Sequence, residues 1–149
     1  MKEGRYLGLD VGEKTIGVAV SDPLGWTAQG LLTIKRKGRD EDFSRLREII
    51  VQQNVKAIVV GLPRNMNGSD SEQTEKVRRF IQELREEFAL PVYPWDERLT
   101  TVAAEKLLLE ADMSRRRRKQ VVDKMAAVLI LQGFLDSRRG SQGFGNEEN

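Results

Sequence analysis

The 149 residues contain no cysteine and no histidine. Without cysteine there are no disulfides, no thiolate nucleophile and no zinc ribbon. Without histidine the commonest general base, the Ser-His-Asp triad and imidazole metal sites all drop out. Any catalysis must therefore rest on carboxylates, hydroxyls, lysine or arginine, with a metal held by oxygen as the natural helper. No apolar run approaches the ~20 residues that a membrane span needs. The N-terminal Met1 to Arg5 leads into a strand-like run with no secretory apolar region. The expectation is a cytoplasmic protein with no membrane partner.

Hydrophobic residues make up 39% of the chain and charged residues 32%, the balance of one globular domain. The net charge of +2 hides an asymmetry. Between Arg115 and Lys124 stand six basic residues and one acid, Asp123, for a local charge of +5; the rest of the chain carries 2 − 5 = −3. A local basic patch is a stronger nucleic-acid signal than a mildly basic average.

Hydrophobic patterning gives the order of elements. Tyr6–Val11 and Thr15–Ser21 read as strands across a Gly12-Glu13 turn, and Trp26 to Ile34 as a third after Asp22-Pro23-Leu24-Gly25. Turns this short join antiparallel strands. Phe43, Leu46, Ile49 and Ile50 then mark a helix over about Asp40 to Gln53. Val55–Val60 reads as a buried parallel strand ending at Gly61. Ser69-Asp70-Ser71-Glu72 fits a capping box with Ser69 as the cap. It opens a helix carrying Val77, Phe80, Ile81 and Leu84. Pro91–Trp95 is a last strand; Val102–Ala111 and Val121–Leu135 are two further helices. The tail, residues 138–149, is expected to be disordered beyond a single domain of residues 1–137. The class is α/β: a five-stranded mixed sheet, a three-stranded antiparallel meander plus two parallel strands, flanked by helices.

Acids stand where such a sheet collects its ligands, outside the carboxyl ends of its strands. Asp10 lies near the end of the first strand, and Asp96-Glu97 just past the last. Asp123 interrupts an apolar helix, on the face of Ala127 and Ile130; a carboxylate there needs compensation, which a divalent cation shared with Asp10 and Glu97 would supply. Each acid also has a plainer reading. Asp10 suits a turn before Gly12, Glu97 a surface ion pair with Arg98, and Asp123 a solvated position beside Lys124. Lys14, Arg64, Asn65 and the run Arg115, Arg116, Arg117, Arg118 and Lys119 are candidate phosphate contacts. Arg64 and Asn65 lie in a strand-to-helix loop of the kind that receives anions. The five cations stand at or before a helix start, where the macrodipole opposes them and an anionic partner would favour them. Gly8 to Gly17 lacks the Gly-x-Gly-x-x-Gly pattern and a following helix, which argues against a dinucleotide site.

Four ordered segments resemble the YqgF or RuvX family of the ribonuclease H-like superfamily: LGLDVGEKTIGVAVSD (7–22), VVGLP (59–63) with NMNGS (65–69), DERLTT (96–101), and VDKMAA (122–127) with ILQ (130–132). The resemblance runs from about Tyr6 to Asp136. It implies a ribonuclease H-like sheet with the fourth strand beside the first. It implies a nuclease acting on the precursor of 16S rRNA, at its 5′ end, or on four-way DNA junctions. Asp10, Glu97 and Asp123 are the implied catalytic residues and metal ligands, with Asp96 the alternate to Glu97, and Arg98 joins the phosphate contacts. Asn67 stands where relatives carry an acid, so no catalytic role is assigned to it. The implied cofactor is Mg²⁺ or Mn²⁺, two ions ~3.5–4 Å apart. The partner is nucleic acid, either rRNA precursor or branched DNA, and the protein a monomer or homodimer. A nucleic-acid-binding ribosome-assembly factor without catalysis is the alternative. An actin- or hexokinase-like phosphotransferase would share Asp10-Val11-Gly12 but needs a second lobe that 149 residues do not provide.

Overall fold

The structure, a computed structural model, describes residues 3–99 and 115–143; the side chains of 115–123 and 141–143 fall outside that description. The elements run β1 (Arg5–Val11), β2 (Thr15–Ser21), β3 (Ala28–Lys35), α1 (Arg39–Gln52), β4 (Val55–Leu62), α2 (Glu72–Glu87), β5 (Val92–Asp96), a 3-10 turn (Glu97–Leu99) and α3 (Arg115–Gly143). The strands form one sheet in the order β3-β2-β1-β4-β5. The β1–β2 and β2–β3 pairs are antiparallel, β1–β4 and β4–β5 parallel. This is the mixed five-stranded sheet expected, with β4 beside β1. The expected helix at Val102–Ala111 lies outside the described residues.

The two faces are built differently. Alternation along the strands sends Leu7, Leu9, Ile16, Val18, Ile58 and Val60 to one side, where Phe43, Leu46 and Ile49 of α1 and Val77, Phe80, Ile81 and Leu84 of α2 cover them. On the other side α3 packs Ala126, Ala127, Ile130, Leu131, Phe134 and Leu135 against Tyr6, Ala19, Ala57 and Val59. That side is floored with small residues. A methyl group at Gly8 would stand 2.7 Å from Leu131 Cβ and 3.2 Å from the Ala127 carbonyl oxygen, so the helix backbone lies nearly on the sheet. Phe134 meets Tyr6 (ring centroids 5.7 Å) while Leu131 meets Gly8, so α3 runs antiparallel to β1. Its N-terminal end therefore points to the rim where β1 ends.

Three local expectations are corrected. Ser71, not Ser69, caps α2: its Oγ accepts from the Thr74 N–H at 3.2 Å, while Thr74 Oγ1 accepts from the Ser71 N–H at 2.8 Å. Thr74 Oγ1 also donates to the Pro63 carbonyl, which fixes the box to the preceding loop. Ser69 instead closes that loop, its N–H and hydroxyl donating to Asn67 Oδ1 at 3.0 and 2.6 Å. Strand β3 starts at Ala28 rather than Trp26, because Asp22 Oδ1 takes the Trp26 and Thr27 N–H groups at 2.7 and 2.9 Å and holds them in a turn. The last helix begins at Arg115 and runs to Gly143, into the stretch expected as a tail. Contacts hold that extension: the Arg138 guanidinium lies over Tyr6 and Phe134, and Arg139 lies over Trp26 and donates to its carbonyl.

Candidate active site

Asp10 is the next-to-last residue of β1 and is 9% exposed. It lies on the α3 face, two residues beyond Gly8. Its register partner on β2 is Gly17. On the other side β1 pairs with β4 as far as Leu9–Val60, and one residue further along each strand brings Asp10 and Gly61. The carboxylate is thus flanked by two residues without side chains. Space for it is written into the strands.

Glu97 reaches the same place from β5. Gly61 pairs with Trp95 and Leu62 with Asp96, so the 3-10 turn starts directly past the rim. A methyl at Gly61 would stand 3.0 Å from Glu97 Oε2 and 2.4 Å from Ile130 Cδ1. The missing Cβ of Gly61 is the cradle in which the Glu97 carboxylate rests, on the same face and beside the same strand position as Asp10.

Asp96 is committed elsewhere. Arg98 grips it through Nη2 at 2.6 Å and Nε at 3.1 and 3.2 Å, and Arg64 Nη1 stands 3.8 Å away. The Arg98 hydrogen bonds, with Arg64 adding its charge, hold the Asp96 carboxyl below the usual carboxylate range against the opposing effect of burial. Its charge is neutralised by arginines, and the Glu97 carboxylate lies beside Gly61.

The Asp123 side chain lies outside the described residues. Its position on α3 is four residues before Ala127, which lies over β1, and seven before Ile130, which lies over β4. Its backbone position is one helical turn nearer the rim than Ala127. Among the described residues, which do not include the Asp123 side chain, no three acids group as a metal site. Asp10 and Glu97 supply hard oxygen donors suited to Mg²⁺ or Mn²⁺, with the Gly61 cradle leaving them room.

The expected phosphate contacts fall into three groups. Lys14 is exposed at the tip of the β1–β2 turn. Arg64, Asn65 and Arg98 brace the β4–α2 loop: Arg64 bonds Asp70 at 3.2 and 3.3 Å, Asn65 Nδ2 donates to Ser69 Oγ, and Arg98 Nη1 lies 3.4 Å from the Met66 carbonyl. A phosphate reaching them competes with these internal partners. Arg115 to Lys119 form the first turns of α3; their side chains are not described. The sequence reading gave Gly61 no role of its own, although it stands in the VVGLP segment at a strand end. It also missed Arg36 and Asp42, which carry no motif.

The class this architecture defines is a ribonuclease H-like domain with a carboxylate site at the carboxyl rim of its sheet. Solved structures agree on the fold: Thermus thermophilus RuvC in complex with a Holliday junction substrate superposes with a TM-score of 0.54 at 16% identity, over 92% of this chain and 96% of that one. A model of the RuvX family, described as Holliday junction resolvase, matches residues 4–137. The curated relatives include a protein of Moorella thermoacetica, 60% identical over 93% of this chain and 99% of its own. Another, from Desulforamulus reducens, is 59% identical over 89% and 97%. Both are named "Putative pre-16S rRNA nuclease". The chain belongs to the RuvX family and, with it, to the nucleases, hydrolases of phosphodiester bonds. Among the described residues no helix is long and apolar enough to cross a membrane.

Proposed function

We propose that this protein is a divalent-metal-dependent endonuclease that processes the 5′ end of precursor 16S rRNA in the cytoplasm, with Asp10, Glu97 and Asp123 as its metal ligands. The observation that carries the reading is the glycine-flanked rim: Gly61 stands one register step past the Leu9–Val60 pair, beside Asp10, and a methyl on it would lie 3.0 Å from Glu97 Oε2. Strand and turn thus offer carboxylate oxygens at neighbouring positions on one face of the sheet. This arrangement makes sense as a holder for Mg²⁺ or Mn²⁺. Either ion, when bound, supplies activation of water for attack on phosphorus and neutralisation of charge gathering on the phosphate.

The chain's own residues do the rest. Asp10 and Glu97 fix the donor oxygens on strand and turn backbone, so little reorganisation is left for the moment of reaction. Lys14 stands at the rim and offers a cation to an adjoining phosphate. The basic first turns of α3 lie about 12–18 Å along the helix from Ala127, beyond the rim, at a rise of about 1.5 Å per residue. Asp10 lies about 6–7 Å nearer to them than Gly8, the residue beneath Ala127, so the basic turns suit phosphates close to the cut. With no histidine in the chain, no imidazole shuttles the proton.

The relatives' name favours rRNA precursor as substrate; the family description favours a four-way junction. One experiment addresses both. The full-length chain and its Asp10→Asn and Asp123→Asn variants are incubated with a precursor 16S rRNA fragment and with a four-way DNA junction, with and without Mn²⁺. Metal-dependent cleavage of the RNA by the wild type, lost in both variants, is expected. Cleavage of the junction alone assigns the other substrate. Undiminished cleavage by Asp10→Asn, or salt-sensitive binding with no turnover in any divalent metal, overturns the reading.

A further inference from the structure

The β1–β2 turn that follows Asp10 is poorly supported from below. A cavity of about 660 Å³, lined in part by Gly12, Glu13, Asp42, Lys76 and Phe80, separates it from α2. The Lys76–Glu13 ion pair spans that gap at 3.5 Å, but the Glu13 side chain is 73% exposed and such a pair holds little. One side chain crosses the space with defined geometry. Arg36 Nη1 donates to the Gly12 carbonyl at 2.6 Å, and the Arg36 backbone N–H donates to the Lys14 carbonyl at 2.9 Å. Its guanidinium lies over the Phe80 ring at 5.4 Å, and Nε approaches Asp42 Oδ2 at 3.5 Å.

Asp42 is as unusual as its partner. It is 2% exposed and, with Asp10, is the only buried acid among the described residues. Its Oδ1 accepts from the Lys37 N–H at 2.9 Å. A carboxylate is put in the interior only where it is paired and hydrogen-bonded. Here both of its oxygens are used to fix one arginine and the corner that carries it. We propose that Arg36, locked by Asp42, is a positioning residue for the metal site. It sets the height of the Gly12–Lys14 turn, and through it the aim of the Asp10 carboxylate and the Lys14 ammonium. The inference rests on the reading of Asp10 as a metal ligand.

A lysine at 36 keeps the charge and much of the stem but has no fork to reach Asp42 and the Gly12 carbonyl together. Arg36→Lys is therefore the variant to read, and the isosteric Asp42→Asn its independent check. Mn²⁺ alone, without nucleic acid, is titrated calorimetrically into the wild type, both variants and Asp10→Asn. Amide hydrogen exchange is followed at Gly12 and Arg36, and kcat and KM are measured across a metal series. The expected result is about tenfold weaker Mn²⁺ binding in both variants, the lower end for outer residues that orient metal ligands. Exchange at Gly12 and Arg36 should quicken, and most of kcat should return at saturating metal. Unchanged Mn²⁺ affinity in both variants overturns the proposal. So does a rise in KM alone, which would mean that Arg36 touches the phosphate itself. Failure of both variants to fold also overturns it, because the pair would then serve stability only. If Asp10→Asn binds Mn²⁺ as tightly as the wild type, the site reading itself falls, a distinguishable result.

Discussion

The two faces of the sheet use the same five strands for opposite ends. The face under α1 and α2 is filled with leucine, isoleucine, valine and phenylalanine, many with no exposed surface. Each such side chain contributes about 1.5–3 kcal/mol by leaving water. The face under α3 gives up that volume. Gly8, Gly61 and Gly30 stand where a Cβ would collide with Leu131, Ile130 or Lys124, and Ala19 and Ala57 take neighbouring places. Less apolar area is buried for each sheet residue, but the helix comes close enough to bring its own N-terminal end to the rim. One face holds the molecule together; the other carries Asp10 and, beside Gly61, Glu97. Substitutions of equal size should therefore have unequal consequences on the two faces.

The sharpest break comes from the acids themselves. Asp10→Asn, Glu97→Gln and Asp123→Asn should each lower the cleavage rate by at least about a thousandfold, some 4 kcal/mol of barrier at about 1.4 kcal/mol per decade. Melting temperatures should stay close to that of the wild type, because each change is isosteric and removes no apolar volume. A single-turnover assay with Mn²⁺, paired with thermal denaturation, checks this.

The next test sets one face against the other. Gly61→Ala adds a methyl 2.4 Å from Ile130 Cδ1 and 3.0 Å from Glu97 Oε2, so one of them must move. A displacement near 1 Å at reacting groups can cost about a hundredfold, and a loss of kcat of about 10- to 100-fold is expected. Ile58→Ala, 1% exposed on the opposite face, removes core volume instead. It should cost about 2–5 kcal/mol of stability while leaving kcat per folded molecule unchanged. Denaturant melts and active-site-normalised rates separate the two. If Gly61→Ala cuts normally and Ile58→Ala does not, the division of labour between faces is wrong.

The stabilising face was the easier one to read in the sequence. Period-2 runs in Tyr6–Val11 and Thr15–Ser21, and the helical spacing of Val77, Phe80, Ile81 and Leu84, announce their own packing. What escaped was decided by competition between equivalent groups. Ser69 and Ser71 both suit a cap, and only the Thr74 hydroxyl, tied to the Pro63 carbonyl, selects Ser71. Asp96 and Glu97 are adjacent acids with different surroundings, Arg98 folding back on Asp96 while Glu97 lies beside Gly61. Arg138 and Arg139 look like tail residues until the rings of Tyr6, Phe134 and Trp26 are placed beside them. The cradle at Gly61 depends on contacts from β5 and α3, far off in the chain, which no local pattern contains.

The smallest effect concerns the rim charges that frame the site. Asp96 has its folded-state pKa lowered, first by the hydrogen bonds from Arg98 and then by the charges of Arg98 and Arg64, with burial working against them. The sign follows from linkage: the stabilisation is complete above the unfolded carboxyl value of about 3.9 and fades as pH falls through the lower folded-state value. Asp96→Asn lacks this contribution at every pH. The stability gap between wild type and variant should thus be steady from pH 7 to 5 and shrink as pH drops below 4. The arginine partners are about a third exposed, with side chains 33% and 29% accessible, so the gap is about 1 kcal/mol or less and weakens in high salt. Cleavage by Asp96→Asn should survive at neutral pH, diminished only as far as the Arg98 brace loosens. A variant with a flat, pH-independent stability gap and no cleavage would reverse the roles of the two neighbouring acids. Asp96 would then be the ligand, and the arginines gathered on it would be the stand-ins for a cation.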